Sequence, residues 1–120
     1  MKDSPHARLD AFFFKSAAGN EPARDWLKGL ADIERKAIGD DIRLVQIGWP
    51  LGMPLVRKLE EGIWEIRTDL PSGIARILFT MSKGRIALLH GFMKKTQKTP
   101  PQELQTARTR RKSLLKAEEE

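Results

Sequence analysis

Between Leu55 and Met93, four apolar-rich stretches follow one another with only three to five residues between them. Residues 55–59, 63–68, 74–81 and 85–93 alternate in character and are rich in Ile, Leu, Phe and Trp, as strands are. The connecting segments Glu60-Glu61-Gly62, Asp69-Leu70-Pro71-Ser72-Gly73 and Ser82-Lys83-Gly84 carry turn residues. Parallel pairing needs a crossover of about a dozen residues or more, so these strands must pair antiparallel, as a meander.

Upstream of Pro54 the period is helical. Ile33, Ala37, Ile38, Asp41, Ile42 and Val45 recur at spacings of three and four, which predicts one buried stripe on a helix from about Asp32 to Gly48. The loop Trp49-Pro50-Leu51-Gly52-Met53-Pro54 then ends it, since no helix persists through two prolines. A shorter helix is expected before it, N-capped by Asn20 and started by Glu21 and Pro22, with Trp26, Leu27 and Leu30 on its apolar edge. Residues 8–14, ending in three phenylalanines, read as a strand. Residues 101–116 read as a last helix with a thin stripe of Leu104, Ala107, Arg111 and Leu114/Leu115. Met53, Met81 and Met93 are assigned to packing. Trp26 and Trp49 are expected to anchor the helices and the proline loop, respectively. The sum is a small α+β layer structure, two helices over one face of an antiparallel sheet.

At 120 residues the chain is one domain, 1–120, with enough length to bury a core. The absence of cysteine excludes thiol catalysis, disulfides and cysteine-ligated zinc. His6 and His90 cannot make a metal cage by themselves. No apolar run approaches the roughly 20 residues of a bilayer span, and the first ten residues lack a secretory signal's apolar stretch. The expectation is a cytoplasmic protein with no membrane partner and no cofactor. The net charge of +6 is unevenly placed. Between Gly91 and Ala117 eight bases face the single acid Glu103, a local excess of +7. Such a block points to a polyanion or an acidic partner, or to a solvated tail.

Alternation along residues 63–68 sends Trp64 and Ile66 one way, to the helix-covered face, and Glu65 and Arg67 the other. Arg76 interrupts an otherwise apolar strand. With Lys58, and with His90, Phe92, Lys94 and Lys95 near the end of the last strand, these groups are expected to converge on one sheet face or its rim. Arginine offers paired donors that fit phosphate oxygens, lysine a mobile point charge. Phe92 has the ring to stack a nucleobase. The plainer alternative is that Glu65 pairs with Arg67 or Arg76 across strands, and that His90 is bonded to a neighbour in the sheet.

Residues 55–67, LVRKLEEGIWEIR, resemble the central hairpin of the RelE/HigB toxin superfamily, and Arg76-Ile77-Leu78-Phe79 follows in the expected place. The closing segment from Leu88 to Pro100, LLHGFMKKTQKTP, is similar to the phage-derived, HigB-like branch. The resemblance runs from about Arg8 to Arg111. It implies a type II toxin that enters the ribosome and cuts messenger RNA, neutralised by a cognate helix-turn-helix antitoxin. It places the catalytic basic residues on Lys58, Arg67 and Arg76, and the C-terminal active-site element on His90, Phe92, Lys94 and Lys95. Several relatives carry a tyrosine there, and this chain has none. RNA contacts are expected from Phe92, Lys98, Arg108 and Arg111. Cleavage without a metal would use the substrate's 2′-hydroxyl, with Arg67 and Arg76 stabilising charge on phosphorus. Lys58, His90 or Lys95 would move protons. The rivals are a ParE-type gyrase-inhibiting toxin, a non-catalytic RNA- or DNA-binding module, and an inactive antitoxin-binding remnant.

Overall fold

The two-residue period of a strand decides what each face of this protein carries. The computed structural model describes residues 8–94 and 98–119. Its elements are β1 (Ala11–Phe13), α1 (Pro22–Lys28), α2 (Asp32–Gly48), β2 (Val56–Glu60), β3 (Ile63–Leu70), β4 (Gly73–Ser82), β5 (Arg85–Lys94) and α3 (Pro101–Glu119). One five-stranded sheet has the order β1-β5-β4-β3-β2. The meander β2 to β5 is antiparallel throughout, and β1 joins the far edge parallel to β5, Phe12 opposite Ala87.

On one face, Val56, Ile66, Ala75, Ile77, Phe79, Ile86 and Leu88 meet Ala23 and Leu27 of α1 and Ile38, Ile42 and Val45 of α2. The expected stripe on α2 is thus buried at Ile38, Ile42 and Val45, but not at its first member, since Ile33 stands exposed in the first turn. Trp49 closes this core at the proline loop, edge-on to Trp64 at 5.0 Å and to Phe79 at 5.5 Å. Thr68 donates to Asp41 at 2.7 Å, tying β3 to α2. Trp26 packs against the β5 backbone at Gly91, where an added Cβ would stand 2.3 Å from the indole. Gly91→Ala should therefore lower stability by about 1–3 kcal/mol through overpacking, read as a drop in Tm; an unchanged Tm would mean Trp26 moves freely.

The second face carries a smaller apolar cluster of Phe14, Ile63, Leu78, Leu89 and Phe92, covered by Ala107, Leu104 and Leu114 of α3. No helix among the described residues is long and apolar enough to cross a membrane. Three expectations are corrected. Asn20 is not the N-cap of α1: Glu21 holds that position, without a side-chain bond, and the Asn20 amide is instead bonded to Ser16 Oγ at 3.1 Å. Met53 does not pack, being 61% exposed on the proline loop, whereas Met81 and Met93 do. The first strand is three residues long, shorter than 8–14. His6 lies outside the described residues.

Candidate functional site

On the α3 side, cross-strand register lines up basic groups. Arg67 of β3 pairs directly with Arg76 of β4, and Arg76 with Phe92 of β5, one row across three strands. The adjacent row runs Arg57, Glu65, Leu78 and His90. Two like charges directly opposite repel, and Glu65 resolves this from the neighbouring row. Its carboxylate lies 3.8 Å from Arg67 Nε and 3.8 Å from Arg76 Nη1. Thr99 Oγ1 donates to Glu65 Oε2 and accepts from Arg76 Nη1 at 3.4 Å. Glu65 and Arg76 have no exposed surface, and the Arg67 side chain is 9% exposed. Burial outweighs the attraction of Glu65 and, with Arg67 and Arg57 nearby, holds the Arg76 pKa below the ordinary guanidinium range. Phe92 faces this group, its ring centroid 5.9 Å from Arg76 Cζ.

Arg67, Arg76 and Phe92 thus meet as expected, and Glu65 pairs with both arginines. Lys58 does not join them. It stands opposite Trp64, so it points to the helix side of the sheet, 6.0 Å over the Trp64 ring, and donates to Glu61 at 3.2 Å. Arg57, one residue earlier, is the base that hairpin register places beside Glu65. The turn alone held no such signal: a two-residue Glu61-Gly62 turn would set Lys58 opposite Glu65, and a β-bulge between the Lys58 and Glu60 pairings shifts the register so that Arg57 takes that place.

His90 is 5.6 Å from Phe92 and is held at both nitrogens. Arg110 Nη1 donates to Nδ1 at 3.0 Å, and guanidinium can only donate, so Nδ1 accepts and Nε2–H donates to Glu103 at 2.5 Å. Arg110 also donates to the Leu89 carbonyl, and its burial lowers its pKa. Lys94 is exposed at the end of β5, and Lys95 lies outside the described residues. Of the expected RNA contacts, Lys98 is exposed, whereas Arg111 turns inward to Thr80 Oγ1 at 3.1 Å and covers Gly62. Arg108 is spent on Glu60, with contacts of 2.7 and 3.0 Å. At the open edge of β3, beyond β2, a 470 Å³ cleft is lined by Arg67, Asp69, Pro54 and α2's Asp40 and Asp41. Arg67, Asp69 and Pro54 also line a neighbouring 190 Å³ cleft.

The bond from Arg108 depresses the Glu60 pKa below the usual carboxylate range. A depressed acid stabilises fully above its unfolded pKa and loses that contribution as pH falls through the folded value. Glu60→Gln should therefore lower Tm slightly at pH 7, and the difference should fade as pH falls below the unfolded carboxylate value of about 4.3 and through the lower folded one. A difference that persists at low pH would contradict a role for the ionised pair.

Taken together, a five-stranded sheet with α1 and α2 on one face, and α3 with a buried arginine pair on the other, defines a small α+β protein. A family model for phage-derived Gp49-like proteins matches residues 25–112. The chain belongs to that family, a family of RelE/toxin-like proteins. No curated protein matches it.

Proposed function

We propose that the chain is the toxin of a type II toxin–antitoxin pair, a ribosome-dependent endoribonuclease that inhibits translation by cutting messenger RNA. The observation that carries this reading is the Arg67–Arg76–Phe92 row, two guanidiniums beside an aromatic ring on one sheet face. Family membership supports it.

In this reading the substrate's 2′-hydroxyl attacks the adjacent phosphorus and the 5′-oxygen leaves. Arg67 and Arg76 stabilise the charge that develops on the non-bridging oxygens. Phe92 stacks a base next to the scissile phosphate. Proton transfer falls to Lys94, at the end of β5, and to Lys95, the next residue in the sequence. His90 serves only once released from Glu103 and Arg110. Lys58 contributes at most from behind the sheet, so Arg57 replaces it as the third base of the face. Lys98 adds a backbone contact to RNA, and Arg108 and Arg111 do so only once released from Glu60 and Thr80. The partners are a cognate helix-turn-helix antitoxin, the ribosome and messenger RNA, which places the protein in the cytoplasm.

Purified chain added to a translating extract should cut messenger RNA, and the antitoxin should prevent it. Replication arrest with intact messenger RNA would instead favour a gyrase-inhibiting toxin. Salt-sensitive RNA binding without cutting would leave a simple binding module.

A further inference from the structure

A guanidinium pair that grips a substrate phosphate must reach solvent. Here Arg76 and Glu65 have no exposed surface, and Phe92 keeps only 7% of its own. Thr99 and α3 cover them. The way α3 is held differs from the way α2 is held. α2 buries Ile38, Ile42 and Val45, whereas α3 fully buries only Ala107. The remaining attachment is largely polar: Arg108 to Glu60, Glu103 to His90, Arg110 to the Leu89 carbonyl, Arg111 to Thr80, and Glu118 to Ser82. An element with little apolar burial opens at lower free energy than the core around it. Beneath it, Glu65 already occupies the space between the arginines, a carboxylate where a phosphate would sit.

We propose that α3 together with Thr99 is an autoinhibitory lid: the structure is the closed form, self-liganded by Glu65, and RNA binds when α3 lifts. This rests on reading the face as an RNA site. Arg67, at the edge clefts, is the first point a phosphate meets; Arg76 and Phe92 follow on opening. The affinity measured for the resting chain is then reduced by the fraction of time the lid is open.

Three forms of the full chain test this: the wild type, a loosened lid (Glu60→Ala with Glu103→Ala), and a locked lid (Ser82→Cys with Glu118→Cys). The chain has no cysteine, so the engineered thiols can pair only with each other within one molecule. Two quantities are read: the rate at which phenylglyoxal modifies Arg76, by peptide mass spectrometry, and the affinity for a short single-stranded RNA, by anisotropy. Loosening should raise both, by up to about tenfold for a lid open a tenth of the time. Oxidation of the locked form should suppress both, and reduction should restore them. Should the disulfide fail to close, the loosened form decides alone, and unchanged Arg76 modification overturns the lid. Equal RNA affinity in oxidised and reduced forms also overturns it. Arg76 modification that follows the lid while no form binds RNA leaves the lid standing and removes the nuclease reading.

Discussion

Arg76→Ala should destabilise the protein by about 3–5 kcal/mol, enough to lower Tm by more than about 10 °C in a domain of this size. The cause is the partner left behind. Glu65 is fully buried, and its Oε1 accepts no hydrogen bond among the described residues. Without Arg76 it is left to Arg67 at 3.8 Å, the Thr99 hydroxyl and Arg57 opposite it on β2. A buried carboxylate in that state must protonate or draw in water, at the expense of the fold. The pair itself is not the source of stability, because desolvation offsets most of its attraction. Replacing both partners by apolar residues of similar volume, Arg76→Met with Glu65→Leu, should therefore recover most of the lost Tm. That double variant should still cut no RNA. Thermal unfolding of the two variants side by side checks the point. A single variant as stable as wild type would show that Glu65 is not held by Arg76.

Arg67→Ala should behave in the opposite way. Arg67 lies at the cleft edge and shares Glu65 with Arg76, so its loss leaves the buried carboxylate paired. Stability should change little, and antitoxin binding should persist. Messenger RNA cleavage in a translating extract should fall by about a hundred- to a thousandfold, the loss expected when one preorganised charge donor is removed from a transition state. Arg67→Lys should recover part of it, since the charge returns without the paired donors. Wild-type rates in Arg67→Ala would remove Arg67 from the site.

How legible all this was depends on what physics set each feature. Alternation alone separated Trp64 and Ile66 from Glu65 and Arg67, because a strand's period leaves no third choice. The stripe Ile38, Ile42, Val45 was equally plain. Lys58 was misplaced because a β-bulge between the Lys58 and Glu60 pairings shifts the register, and a one-residue step sends a side chain to the other side. The parallel docking of β1 on β5 was not legible, since three residues carry no register of their own. The position of α3 was hidden for another reason. Its stripe of Leu104, Ala107 and Leu114 marks a helix, but what seats it are ion pairs and hydrogen bonds from Glu60, Thr80 and His90 on three different strands. Those partners are identified only by the fold. The burial of Arg76 follows from the same contacts, which is why the sequence suggested an open basic face where the structure has a covered one.

The central claim is that two guanidiniums on neighbouring strands stabilise a phosphorus under attack by the adjacent ribose hydroxyl. The chemistry at the cut ends of messenger RNA, recovered from an extract treated with the purified chain, tests it most directly. The account predicts fragments bearing a 2′,3′-cyclic phosphate upstream and a free 5′-hydroxyl downstream, and none with Arg67→Ala. Fragments with 5′-phosphate ends, or messenger RNA that stays whole while cells expressing the chain cease to grow, would contradict it.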